Sequence, residues 1–230
     1  MNWFGTPFDF AAGAILNFHK PPGKSSFWLV KQIRSQIKTK VGHAGTLDPF
    51  AEGVLLICTG RATRQVEQLM GLTKEYVGEI ELGISTDTDD PTGKIIAQAS
   101  VPALTPEDLQ AVCQSFVGSI YQLPPLFSAK QVQGRRLYKL ARQGVAIERT
   151  PKLVHIETIE LLRYEHHTLA LRVICSKGTY IRALARDIGQ QIGCGGYLKT
   201  LIRTRIGDYS IDDALNWQQF NEMIAHLDHQ

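Results

Sequence analysis

Gly42-His43-Ala44-Gly45-Thr46-Leu47-Asp48-Pro49-Phe50-Ala51-Glu52-Gly53 is the most unusual stretch of this 230-residue chain. Glycines and a proline set this closely fix a tight, irregular backbone. Such a bend can present a short carboxylate, here Asp48, at a set angle. Taken alone, Asp48-Pro49 also fits an ordinary turn start. The segment reads as a Gly-rich turn over Val41–Gly53, followed by an apolar run, Val54–Cys58.

Upstream, residues 14–19 predict a short strand, ended by Lys20-Pro21-Pro22-Gly23. Ser25 or Ser26 caps a predicted helix whose apolar stripe is Leu29, Val30, Ile33 and Ile37. The other face carries Lys31, Arg34 and Lys38, with Lys40 just beyond, and fits either a solvated or a phosphate-contacting surface. Downstream, residues 76–83 predict a strand. Thr105-Pro106-Glu107-Asp108 is a helix start, with Leu109, Val112 and Phe116 on one face and Gly118 as the stop. Residues 153–161 and 168–175 predict two strands around a turn at Glu165-His166-His167. Thr179–Ile192 and Ile211–Leu227 predict helices. Strands and helices alternate irregularly, which points to an α/β protein with helices packed on a mixed sheet.

Composition is that of an ordinary globular protein, with 43% hydrophobic and 20% charged residues. No run approaches the roughly 18 apolar residues of a membrane span. Met1–Phe18 lacks a basic start and contains Asp9, so no signal peptide and a cytoplasmic location are expected. Cys58, Cys113, Cys175 and Cys194 form no C-x-x-C pair and predict reduced thiols rather than a zinc site. Net charge is +3, but Ile206–Gln230 carries five acids and no Lys or Arg, leaving +8 on residues 1–205. That excess permits a polyanionic partner.

Several motifs fail. Gly23-Lys24-Ser25 would end a phosphate-binding loop only with glycine at position 18, where Phe18 stands. Asp87, Asp89 and Asp90 would open a calcium loop only with glycine and glutamate where Thr92 and Gln98 stand. Metalloprotease and serine-hydrolase signatures are absent.

Gly42–Gly53 resembles the catalytic motif of the TruB family of tRNA pseudouridine synthases. The resemblance extends in order across residues 14–210. It takes in Lys20-Pro21 with Gly23 and Ser25-Ser26, Lys74-Glu75-Tyr76, and Thr86-Asp87-Thr88-Asp89-Asp90 ending at Gly93. It continues through Pro124-Pro125 with Ser128-Ala129-Lys130, Gly134 and Leu137-Tyr138. Cys175-Ser176-Lys177-Gly178-Thr179-Tyr180-Ile181-Arg182 and Leu198…Leu201…Arg203-Thr204…Gly207 complete the set.

The resemblance implies the pseudouridine-synthase fold, with a bent mixed sheet and a central catalytic cleft. It implies conversion of uridine 55 in the T-stem-loop of tRNA to pseudouridine, by a monomer with no cofactor and no metal. Asp48 falls on the catalytic aspartate, attacking either C6 of the base or C1′ of the ribose. Arg182 falls on the arginine that keeps this carboxylate ionised, and Asp90 on a residue holding the other side of Arg182. Tyr76 falls on the tyrosine that stacks on the flipped base. Tyr180 and Leu201 are implied as pocket walls, and His43 as a filler of the gap the base leaves. Lys20 and Lys130 are implied near the cleft and the RNA backbone.

The implied organisation is a catalytic domain at 1–210 and a short helical tail at 211–230, without a full C-terminal RNA-binding module. The acidic tail implies weaker tRNA affinity than in longer relatives. Two other readings stay open: a non-catalytic tRNA-binding or tRNA-folding module of the same fold, and a synthase acting on another RNA.

Overall fold

The computed structural model describes residues 9–126, 131–132, 135–136 and 149–227. They form two compact units, Met1–Lys74 with Ile202–Gln230, and Glu75–Leu201.

The first unit is built on β3 (Glu52–Thr59). Its apolar run has a period-2 reason. Leu55 and Ile57 face one core, with Leu16, Phe18, Leu29, Ile33 and Phe220. Val54, Leu56 and Cys58 face the other, with Ala44, Leu69 and Ile206. β1 (Ile15–Lys20) runs antiparallel to β3, from Ile15 opposite Cys58 to Lys20 opposite Gly53. β2 (Val41–Ala44) also pairs with β3 antiparallel. Part of the expected Val41–Gly53 turn is therefore strand at both ends, because His43 and Ala44 find backbone partners in Ile57 and Leu56. The irregular loop narrows to Gly45–Ala51.

α1 (Ser26–Ile37) begins where expected: Ser25 caps it, its hydroxyl accepting from the Trp28 N–H at 3.0 Å. Leu29, Val30 and Ile33 are buried, each contributing about 1.5–3 kcal/mol of burial. The expected helix from Ile211 is interrupted. A 3-10 turn covers Ile211–Asp213, and α5 (Trp217–Leu227) starts later. Leu215 between them pairs with β1 instead, its N–H donating to Asn17 O and its carbonyl accepting from His19 N–H, both at 2.8 Å. A residue in such a bridge cannot also be helical.

In the second unit, β4 (Lys74–Leu82), β11 (Thr168–Cys175), β10 (Lys152–Glu165) and β7 (Gly118–Gln122) lie in that order, with β12 (Gly196–Ile206) on the outer side of β4. β12 runs on into the first unit, where Ile202 and Arg203 lie parallel to Glu52 and Gly53 of β3. β13 (Tyr209–Ser210) pairs back on β12. The β10–β11 hairpin turns at His166 and His167, both at positive φ. Small pairs are formed by β5 (Ile84–Thr86) with β6 (Ile95–Gln98), and by β8 (Gln131–Val132) with β9 (Arg135–Arg136). α2 (Val66–Gly71) belongs to the first unit, α3 (Pro106–Ser115) to the second. Thr105 closes a reciprocal capping box on α3 with Asp108. α4 (Ile181–Ile192) starts two residues later than expected, because the backbone of Tyr180 is bonded to Gln122.

Candidate active site

In the first unit, Asp48 sits half-buried on the Gly45–Ala51 loop, and that loop is fastened from three sides. Ser26, buried in the first turn of α1, donates its hydroxyl to Leu47 O and accepts from Leu47 N–H, both at 2.9 Å. The Gly23 N–H donates to Pro49 O at 2.7 Å. The fully buried guanidinium of Arg203 ties the loop's start to β3, donating to Gly45 O at 3.0 Å and to Val54 O at 2.7 Å. The loop cannot drift without breaking bonds that water would not replace.

Lys20 closes the strand beneath this loop. Its buried ammonium donates to Pro21 O at 2.8 Å and to Lys24 O at 2.7 Å, with Pro49 O at 3.5 Å. Burial first, and then the nearby guanidinium of Arg203, push its pKa down to about 8, against the attraction of Asp48 and Glu52. His43, on β2, has a buried Nδ1 with no hydrogen-bond partner among the described residues. Burial and Arg203 both lower its pKa, which favours a neutral ring.

In the second unit, Arg182 points from the first turn of α4 and is buried. It meets Asp90 Oδ2 at 3.2 Å and donates to Thr88 O at 2.9 Å. Asp90 is fixed in turn: its Oδ1 accepts from the Thr88 hydroxyl (2.7 Å), the Thr92 N–H (2.9 Å) and the Thr92 hydroxyl (2.6 Å). One turn along α4, Arg186 binds Asp89 at 3.0 Å and donates to Leu123 O at 3.0 Å. Burial raises the Asp89 pKa, opposed by Arg186 and Arg182.

Tyr180, half-buried, leads into α4. Gln122 donates to its carbonyl at 3.0 Å and accepts from its N–H at 2.7 Å. Tyr76 is buried on the same face of β4 as Gly78 and Ile80. A side chain on Gly78 would meet Leu198 at 3.2 Å and Leu201 at 3.4 Å, so both leucines pack against β4 at Gly78. Lys130 lies outside the described residues.

Asp48, Lys20 and His43 thus gather in the first unit; Arg182 and Asp90 pair in the second, with Tyr180 just before Arg182. Ser26, Arg203, Gln122, Asp89 and Arg186 were not among the expected site residues. Ser26, Asp89 and Arg203 lie within the family-like motifs, and the four-residue step from Arg182 to Arg186, opposite the adjacent Asp90 and Asp89, was a further readable signal; Gln122 had none. Among the described residues, no three metal-ligating side chains converge, and no helix is long and apolar enough to cross a membrane.

Comparison with known proteins defines the class. Residues 31–181 match the family model for the N-terminal domain of TruB family pseudouridylate synthases. Residues 182–230 match the model for the tRNA pseudouridylate synthase B C-terminal domain. The chain is 45% identical over 227 residues to tRNA pseudouridine synthase B of Bacteroides fragilis, covering 96% of this chain and 97% of that one. It is 44% identical over 223 residues to the protein of the same name from Parabacteroides distasonis, covering 94% and 95%. The crystal structure of a Cbf5-Nop10-Gar1 complex matches 91% of the chain at TM-score 0.71 and 30% identity. This chain spans about half of that one, 53%. The chain belongs to the TruB family of pseudouridylate synthases, and so to the isomerases.

Proposed function

We propose that this enzyme converts uridine 55, in the T-loop of tRNA, to pseudouridine, with Asp48 as the nucleophile. The observation that carries the reading is 45% identity to a tRNA pseudouridine synthase B along nearly the whole of both chains. The N1–C1′ bond breaks, the uracil turns, C5 bonds to C1′, and the proton C5 gives up is balanced by one taken up at N1, so the product is an isomer of uridine. Asp48 attacks either C6 or C1′, and that bond breaks again to return the carboxylate before the product leaves; both routes need Asp48 ionised. The three-sided fastening of its loop supports this role, since a nucleophile must be held in attack geometry.

Arg182 is assigned to keep Asp48 anionic, supported by its own fixation on Asp90 and Thr88 O. Tyr76 would stack on the flipped base, with Tyr180 and Leu201 as walls. His43 would fill the gap left in the RNA, for which a neutral, flat ring suits. Lys20 would act beneath the loop and Lys130 toward the RNA backbone. The chemistry is assigned to residues 1–210 of a cytoplasmic monomer, with 211–230 as a tail.

The test is incubation with a T-loop minihelix followed by nucleoside analysis. Wild type should yield one pseudouridine per RNA, and Asp48→Asn should bind but yield none. No product from wild type on any tRNA would reject the enzyme reading.

A further inference from the structure

Exposed cations occur on both units, and in the second Lys94, Lys152 and Lys177 form no ion pair among the described residues; the first unit differs in gathering six such cations within residues 31–64. In the second unit Arg163, Arg172 and Lys199 are each tied to a carboxylate, Glu79, Glu160 and Glu81, at 2.7–2.9 Å. In the first unit Lys31, Arg34, Lys38, Lys40, Arg61 and Arg64 are exposed, and among the described residues none forms an ion pair.

Lys31, Arg34 and Lys38 share one face of α1, and Lys40, Arg61 and Arg64 follow in segments joined by a backbone bond just past its end. Lys31, Arg34 and Lys38 recur at helical spacing, opposite the buried stripe of Leu29, Val30 and Ile33. They span about 10 Å of the α1 axis. Lys38 ends the helix in a left-handed conformation, its N–H bonded to Arg34 O. Two residues on, Lys40 O accepts from the Gly60 N–H at 2.8 Å. That bond seats the 3-10 turn Gly60–Gln65, with Arg61 and Arg64, against the helix's exit. The surface is also fixed to the nucleophile's loop at both ends of the chain segment. α1 starts at Ser26, which clasps Leu47, and β2 leads from Lys40 back into Gly45.

We propose that this face of α1, continued by Lys40, Arg61 and Arg64, tracks the sugar–phosphate backbone of the RNA stem that leads to the target loop. The inference rests on the pseudouridine-synthase reading above and adds where the duplex is gripped. RNA duplexes are held chiefly through phosphates and 2′-hydroxyls. Unneutralised, rigidly mounted cations beside the catalytic loop supply that contact without reading sequence.

The test compares wild type, the triple variant Lys31→Gln/Arg34→Gln/Lys38→Gln, and Arg172→Gln, an exposed and ion-paired control. KM, kcat and binding to a T-loop minihelix are measured from low to moderate salt. Each lost phosphate contact should flatten the slope of log K against log salt by about 1, so the triple variant should lose about 2–3. Its KM should rise at least about tenfold with kcat within about twofold, and Arg172→Gln should match wild type. An unchanged slope in the triple variant, or an equal loss in Arg172→Gln, overturns the surface. So does triple-variant loss of binding to phosphatidylserine vesicles while RNA binding is kept. Wild type that forms no pseudouridine would instead reject the functional reading, so the two failures are distinguishable.

Discussion

Ser26 and Leu47 exchange two hydrogen bonds, one hydroxyl both giving to and taking from a single backbone residue at 2.9 Å. Both residues are buried, and Leu47 immediately precedes Asp48. Ser26→Ala should therefore leave a buried N–H and carbonyl unpaired, costing about 1–3 kcal/mol of stability. If Asp48 is the nucleophile, kcat should also fall about tenfold or more, since small displacements of a reacting group are expensive. KM should stay near wild type, and Ser26→Thr should recover part of the rate. Denaturant melts and steady-state kinetics check this; a destabilised variant with unaltered kcat would separate Ser26 from the chemistry.

Gly53 offers a test of how the loop's far end is closed. It sits at φ +107°, opposite Arg203 in the parallel pairing, and a Cβ there would lie 2.3 Å from Arg203 O. Gly23 also has a positive φ, +77°, but open space around its Cβ position. Gly23→Ala should cost only the left-handed penalty of about 1–2 kcal/mol. Gly53→Ala adds a backbone collision and should cost at least about 3 kcal/mol or prevent folding. Equal melting temperatures for the two variants would mean that β3 and β12 approach less closely than described.

Lys20 makes stability depend on pH in a stated direction. Its pKa is about 8 in the folded protein, against 10.5 for a free lysine side chain. Below pH 8 both states hold the proton, and the folded state carries the cost of a buried cation. Between pH 8 and 10.5 the folded protein releases the proton first, so the unfolded state binds more protons and stability rises with pH. The full gap corresponds to about 3 kcal/mol. Unfolding midpoints of wild type relative to Lys20→Met should increase from pH 7.5 to pH 10. Titration of 13C-labelled lysine gives the same answer should the variant fail to fold. A flat or falling difference would mean Lys20 is no more burdened than a surface lysine.

Much of the frame was legible because local rules and tertiary demands coincide. Thr105 and Ser25 cap helices as their side chains dictate, and Val54–Cys58 is apolar on both faces because both faces of β3 are covered. β12 was missed for a physical reason. Its buried residues, 196, 198, 201, 203 and 206, do not hold one alternation, so no period-2 signal survives. Leu215 was read as helical because a backbone bridge to Asn17 and His19 leaves no trace in side-chain pattern. Of the site, Asp48, Arg182 and Asp90 came from motif resemblance, and the Arg182–Asp90 pair is formed. The motifs include Ser26 but do not show what it clamps, and they do not reach Gln122. Gln122 acts on Tyr180 across 58 positions, and Ser26 on Leu47 across 21, distances over which sequence carries no local signal.

Arg182 gives the sharpest test of charge against geometry. Its guanidinium uses one nitrogen for both Asp90 Oδ2 and Thr88 O, with the remaining donors of the planar fork carried by the same rigid group. Arg182→Lys keeps the charge but replaces the fork with a single point donor on a shorter reach. If the guanidinium serves catalysis as proposed, kcat should fall about a hundredfold or more, with tRNA binding within about threefold of wild type. Asp90→Asn keeps the shape and removes the partner charge, leaving a buried cation less compensated. It should destabilise the protein by about 3–5 kcal/mol, as breaking buried pairs does. Its effect on kcat should be smaller than that of Arg182→Lys, since Asp90 would act through Arg182 and not on the base. Stopped-assay product counts and thermal melts on both variants decide it. Near-normal turnover in Arg182→Lys would confine Arg182 to a structural part, and an unchanged melting temperature in Asp90→Asn would show that the charge of Asp90 is not needed to hold it.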